Sequence, residues 1–244
     1  MKIIKFLLLL LVLLILAVVF TPLDWYYSAI EKQIKPAKLE QISGSAIKGS
    51  AQKLSYFGMD LGQASWLVYP SSYNEMSVDF TLNNDQYHLQ GRYRKSLKFD
   101  KIQNLRGRFN WSMLEQYLNF KFGKIAGSID FDFSEIAFAN NTPERIVGQA
   151  ITQNLKLIEP MKKDLGTINV KFSSQSAGVI VGLINSNSNV INVSGAIYIH
   201  KTHRWESKIT LLPMPGEYEI EYALQNIGDK RPGGGRSLNM SGYY

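Results

Sequence analysis

The sequence predicts a mainly β protein: a curved, mostly antiparallel sheet with one or two short helices, preceded by an N-terminal transmembrane helix. Three observations carry this expectation. An apolar-x-Gly-x-apolar phrase recurs along the chain, short runs of alternating apolar and polar residues are separated by turn-forming tracts, and the chain begins with an unbroken apolar stretch. The phrase occurs as Ile42-x-Gly44-x-Ala46, Ile47-x-Gly49-x-Ala51, Leu89-x-Gly91-x-Tyr93, Leu105-x-Gly107-x-Phe109, Ile125-x-Gly127-x-Ile129, Ile146-x-Gly148-x-Ala150, Val193-x-Gly195-x-Ile197 and Met240-x-Gly242-x-Tyr244. On a strand, residues i, i+2 and i+4 point to one face, so each glycine shares a face with its apolar neighbours. Glycine inside a strand marks a bend, a bulge or a close approach of something else. Repetition in strand after strand therefore points to a sheet that curves or takes another group against its inner face. The uneven spacing argues against a solenoid.

The N-terminal stretch sets the expected topology. Lys2 and Lys5 precede apolar residues from Phe6 to Phe20. With Ile3 and Ile4 included and Lys5 snorkelling, the run reaches about the shortest length that crosses a bilayer. A cleaved signal peptide is the competing reading, but Val19, Phe20 and Pro22 make a poor cleavage site. The expectation is an uncleaved anchor over residues 1–22, with Phe6, Leu10, Leu14, Val18 and Phe20 in the bilayer and the lysines cytoplasmic. Residues 23–37 then form a juxtamembrane segment, with Asp24-Trp25-Tyr26-Tyr27 resembling an interfacial aromatic belt and a short helix over Ala29–Ile34. Lys32, Lys35 and Lys38 fit either lipid headgroups or a solvated linker.

Residues 38–244 read as one β-rich domain outside the cytoplasm. Strands are expected at 76–82, 87–93 and 98–109, the first two joined by Asn83-Asn84-Asp85, whose residues tolerate left-handed backbone. Ser112-x-x-Glu115 is a capping-box signature followed by Leu114, Tyr117 and Leu118 at helical spacing, which predicts a helix over 112–120. Further strands are expected at 124–133, 136–139, 146–156, 166–173, 179–185, 190–200, 205–212 and 237–244, with a polar turn over Asn185–Asn189. Between them, 217–227 satisfies both periodicities, and Gly228 at a C-cap position favours helix.

The opening of this domain carries a resemblance. Gly44 and Gly49, then Leu54-Ser55-Tyr56, Gly58-Met59-Asp60-Leu61-Gly62 and Trp66, resemble the opening of protein N of the bacterial type II (general) secretion pathway. The length, the N-terminal anchor and the glycine-bearing β tail are similar as well. The resemblance implies an inner-membrane, single-pass component of a secretion machine in a bacterium with two membranes, partnered by other type II secretion subunits. It makes Gly44, Gly49, Gly58, Gly62 and Trp66 a structural motif and implies no catalytic residue.

The residues themselves offer little chemistry. There is no cysteine, which excludes disulfides, thiolate metal sites and a cysteine nucleophile. The net charge of +7 is dispersed, without a nucleic-acid signature. His200-x-x-His203 lacks a third metal ligand, and Asp130-x-Asp132 and Glu217-x-Glu219-x-Glu221 fit a solvated face. No nucleophile elbow, phosphate loop or dinucleotide fingerprint occurs, and the Arg231–Gly235 run opens no helix. The expectation is a non-enzymatic protein with no cofactor and no bound metal. A second reading makes the curved sheet an apolar groove for lipid or another hydrophobic cargo, lined by Leu89, Tyr93, Phe109, Ile129, Phe131 and Ile197. In its glycine-bearing strands and tether this resembles, faintly, the long groove proteins of the periplasm. A closed core is the competing account, because a chain this short needs most of its apolar residues for packing.

Overall fold

The computed structural model describes residues 20–97, 99–115, 123–140, 142–174 and 178–244, and these fall into two compact units divided after Leu97. Both units are built from antiparallel strands. The expected anchor residues Phe6, Leu10, Leu14 and Val18 lie outside the described residues, as does most of the expected 112–120 helix. Among the described residues no helix is long and apolar enough to cross a membrane.

In the N-terminal unit, a 3-10 turn at Leu23–Trp25 and helix α1 (Tyr27–Ile30) lead into six strands. These are β1 (Ala37–Gly44), β2 (Lys48–Tyr56), β3 (Met59–Asp60), β4 (Gln63–Ser72), β5 (Glu75–Asn83) and β6 (Tyr87–Ser96). They pair in the order β1-β2-β4-β5-β6, with β3 folded back on β2. Local chemistry sets the turns. Ser45 Oγ accepts from the Ile47 and Lys48 amides, and Asn84 Oδ1 accepts from Gln86 at 2.8 Å and Tyr87 at 2.9 Å. The second is the side-chain-stabilised turn that asparagine favours. One face carries Ala51, Ala64, Trp66, Val78, Phe80 and Leu89, and Ala51 and Ala64 are buried on it.

The C-terminal unit begins with β7 (Asp100–Asn110) and the described turn of helix α2 (Ser112–Glu115), and continues through β8 (Ile125–Ala139), β9 (Thr142–Leu157) and β10 (Lys163–Ser174). It is completed by β11 (Val179–Asn187), β12 (Ile191–His200), β13 (Arg204–Pro213), helix α3 (Tyr218–Ala223), β14 (Asp229–Lys230) and β15 (Arg236–Tyr243). Strands β7 to β13 pair in sequence order; β15 then joins β13, and β14 lies outside β15. The core gathers at one end, where Ile220, Leu224 and Ile227 of α3 and its following turns pack on Ile184, Ile191 and Val193. Each such side chain contributes roughly 1.5–3 kcal/mol on full burial.

Three expectations are corrected. The strands expected at 124–133 and 136–139 are one strand, β8, which continues through Ser134 because a bulge against β9 absorbs the extra residue. Ser134 Oγ donates to the Val147 carbonyl at 3.2 Å. Strand β11 runs on through Asn185–Asn187, held by pairing with Thr167–Asn169 on β10, a partner that local propensity cannot register. Helix α3 stops at Ala223, short of the expected 227, and Gly228 adopts left-handed backbone (φ +56°) beside Ser237 of β15.

Candidate functional site

The residues of the opening motif meet at one end of the N-terminal unit. Gly44 and Gly49 are cross-strand partners closing the β1–β2 hairpin, and Gly49 pairs on its other side with Trp66 of β4. A Cβ at Gly49 would lie 2.5 Å from the Trp66 ring, so the indole fills the space over this glycine. The Trp66 indole N–H donates to the Ser45 carbonyl at 3.2 Å, anchoring the ring to the hairpin turn. Gly58 and Gly62 shape the return from β2 to β4 at φ +81° and +68°. The Gly62 amide donates to Asp60 Oδ1 at 2.8 Å and its carbonyl accepts from the Leu54 amide at 2.7 Å.

The same construction recurs. Phe80 pairs with Gly91, Phe131 with Gly107, Phe133 with Gly148, Phe172 with Gly182 and Trp205 with Gly242. The ring lies over the glycine at Gly148, Gly182 and Gly242, where an added Cβ would come within 2.7–2.8 Å of Phe133, Phe172 and Trp205. Cross-strand aromatics that cover glycine restore packing that the missing side chain gives up.

Of the suggested groove residues, Phe109, Ile129 and Phe131 are adjacent, with Phe109 opposite Ile129 and the Phe109 and Phe131 rings 5.8 Å apart. The row continues through Phe133 to Phe172, at 6.2 and 5.8 Å between ring centres, and all these rings are half-buried. Ile197 sits on β12 against the α3 core, while Leu89 and Tyr93 belong to the apolar face of the N-terminal unit. Phe133, Phe172 and Trp205 were missed from the sequence, since only the strand register sets each opposite a glycine.

The opposite faces carry the charges. In the C-terminal unit Arg108 makes a bidentate pair with Asp130, and Arg106 donates to Asp132 at 3.1 Å. The hydrogen bond from Arg108 holds the Asp130 carboxyl below its ordinary pKa, against the opposing effect of burial. In the N-terminal unit Asp79 accepts from Arg92 at 2.6 and 3.1 Å and from the Tyr69 hydroxyl at 3.3 Å, and its pKa is likewise lowered, chiefly by Arg92. Lys163 bridges Glu217 and Glu219 at 2.9 and 3.0 Å, joining β10 to the start of α3. His203 Nε2 is 3.2 Å from Thr142 Oγ1 and His200 Nε2 is 3.6 Å from Glu206. Among the described residues no group of three or more His, Asp or Glu side chains is placed to hold a metal.

The two terminal strands of these sheets differ at their outer edges. Strand β1 is covered at its start: Leu23 is buried, the 3-10 turn packs on β1, and the Leu39 amide donates to the Tyr27 hydroxyl at 2.7 Å. Strand β15 is covered only at its start, where β14 pairs with Arg236 and Ser237. The Tyr244 amide donates to the His203 carbonyl, so hydrogen bonds toward β13 alternate from there, and the backbone groups of Asn239, Ser241 and Tyr243 point away from β13. No strand pairs with that edge among the described residues. From Ser237 to Tyr243 it bears neither a charge nor a proline, the usual blocks on strand addition.

In comparison with known proteins, residues 35–239 match the family described as type II secretion system (T2SS), protein N. No curated protein and no solved structure matches the chain. The matched span contains the glycine–tryptophan motif and every strand from β1 to the start of β15, and the chain belongs to the type II secretion system protein N family.

Proposed function

We propose that this protein is a non-enzymatic, inner-membrane component of the type II secretion machinery. A single N-terminal pass anchors it, its β units stand in the periplasm, and it assists assembly or regulation of export by docking another subunit. The observation that carries the reading is the unpaired, uncharged edge of β15. An extended segment of a secretion subunit can add there as a further strand, its backbone pairing with Asn239, Ser241 and Tyr243. The ion-paired carboxylates support a scaffold rather than a reaction centre.

The test is a single-cysteine substitution, Ser241→Cys, in the otherwise cysteine-free chain, cross-linked in native membranes with the adducts identified by mass spectrometry. Cross-links to another secretion subunit, lost when the neighbouring edge amide is removed by Asn239→Pro, are the expected result. A label that recovers no secretion subunit, in cells actively exporting, overturns the edge as the docking surface.

A second reading has a specific observation behind it. The half-buried row Phe109, Phe131, Phe133 and Phe172 offers an apolar surface to lipid or another hydrophobic cargo. The rings already occupy the space over Gly148 and Gly182, which favours a self-packed face. Full chain purified in mild detergent and carrying a stoichiometric lipid that survives washing would reverse that preference.

A further inference from the structure

We infer that residues 20–38 form a bilayer-facing platform rigidly built onto the edge of the N-terminal unit, so that the anchor holds β1 at a fixed distance from the lipid surface. This rests on the membrane anchorage proposed above and adds where and how the membrane is met.

Two groups of contacts tie the segment to the sheet. Leu23 is 5% exposed, and the Tyr27 hydroxyl accepts the Leu39 amide of β1 at 2.7 Å. At the end of the segment, the Ala37 amide donates to the Ile34 carbonyl at 3.0 Å and the Phe57 amide to the Pro36 carbonyl at 3.3 Å. The connection is therefore a folded part of the unit and not a free tether.

The remaining face of the segment is unlike an ordinary soluble surface. Phe20, the last residue of the apolar run from Phe6, is 77% exposed, and Trp25 just beyond it is 79% exposed. The exposed Trp25 indole beside such a run fits the headgroup level of a bilayer, where its apolar body and its polar N–H are both accommodated, while Phe20 continues the apolar run. Lys32, Lys35 and Lys38 are exposed in the same segment and are balanced by Asp24, Glu31 and Glu40, the last pairing with Lys38 at 3.0 Å. With the charges balanced, the apolar and aromatic side chains supply the attraction. A bilayer surface is the occupant to which this chemistry commits.

The absence of cysteine makes the test direct. The full chain carries a single spin label at Trp25→Cys or, as a reference, at Tyr73→Cys, whose native side chain is fully exposed. Each is reconstituted in nanodiscs of phosphatidylethanolamine and phosphatidylglycerol, and collisions with oxygen and with a water-soluble nickel chelate are measured. The expected result is a label at 25 that meets the chelate severalfold less, and oxygen more, than the label at 73. Equal access to the chelate at both sites overturns the platform, and shielding at 25 from both reagents overturns it in favour of a protein contact. Failure to enter nanodiscs at all rejects the anchorage itself, a separate outcome. Rigidity is read from the distance distribution between labels at 25 and 73, which is expected to be narrow and to broaden with Tyr27→Phe. A distribution already broad with Tyr27 in place overturns the fixed attachment.

Discussion

Phe172 lies across from Gly182 with its ring over the space that a Cβ would occupy, 2.7 Å from that position. The missing side chain on β11 is what lets a phenyl ring from β10 lie down on the sheet. Gly182→Ala is expected to lower stability by about 1–3 kcal/mol, the usual cost of overpacking. Gly58→Ala is the control: nothing lies within 4 Å, so only its left-handed backbone (φ +81°) resists, at about 1–2 kcal/mol. Denaturant unfolding of the full chain in detergent separates the two mechanisms when Phe172→Leu is added. The smaller side chain should relieve Gly182→Ala and leave Gly58→Ala unchanged.

The edge of β15 makes a positional prediction. The Ser241 amide points away from β13 and the Met240 amide toward it. Ser241→Pro should therefore keep the fold, and Met240→Pro should break a ladder hydrogen bond and cost about 1–3 kcal/mol. Equal thermal destabilisation by the two substitutions would falsify the assigned alternation.

Acid should weaken both units through one kind of contact. Asp79 and Asp130 have pKa values lowered mainly by hydrogen bonds from Arg92 and Arg108. A carboxylate depressed in the folded state stabilises above its unfolded pKa of about 3.9 and loses that contribution as pH falls through the lower folded value. Arg92 and Asp79 are 42% and 39% exposed, so solvent screening holds that pair to about 1 kcal/mol or less. Asp79→Asn should cost stability at pH 7 and flatten the acid limb below about pH 4. Thermal unfolding at a series of pH values checks both limbs.

The last residue is structurally tied in. The Tyr244 amide donates to the His203 carbonyl at 3.0 Å, its hydroxyl to the His200 carbonyl at 2.7 Å, and its ring lies 5.5 Å from the His203 ring. Tyr244→Phe should cost about 0.5–1 kcal/mol, as for a net hydrogen bond near solvent, and deletion of Tyr244 more. Hydrogen exchange at the β12–β13 tip should speed up in that order.

The β class, most strand positions and the family were legible from the sequence, because period-2 alternation, asparagine turns and the Gly44–Trp66 motif are local signals. Asn83-Asn84-Asp85 announces its hairpin since the Asn84 side chain makes the turn by itself. The repeated glycine phrase also placed the glycines on the apolar faces, which follows from strand geometry alone. The tertiary structure decided what lies against them. Phe133 covers Gly148 and Trp66 covers Gly49 only because particular strands pair in particular registers, and no local pattern encodes a register. The continuity of β8 through Ser134, the covered start of β1 and the open edge of β15 have the same origin. Each depends on which backbone groups find a partner far along the chain, and such pairing exists only once the sheet has formed.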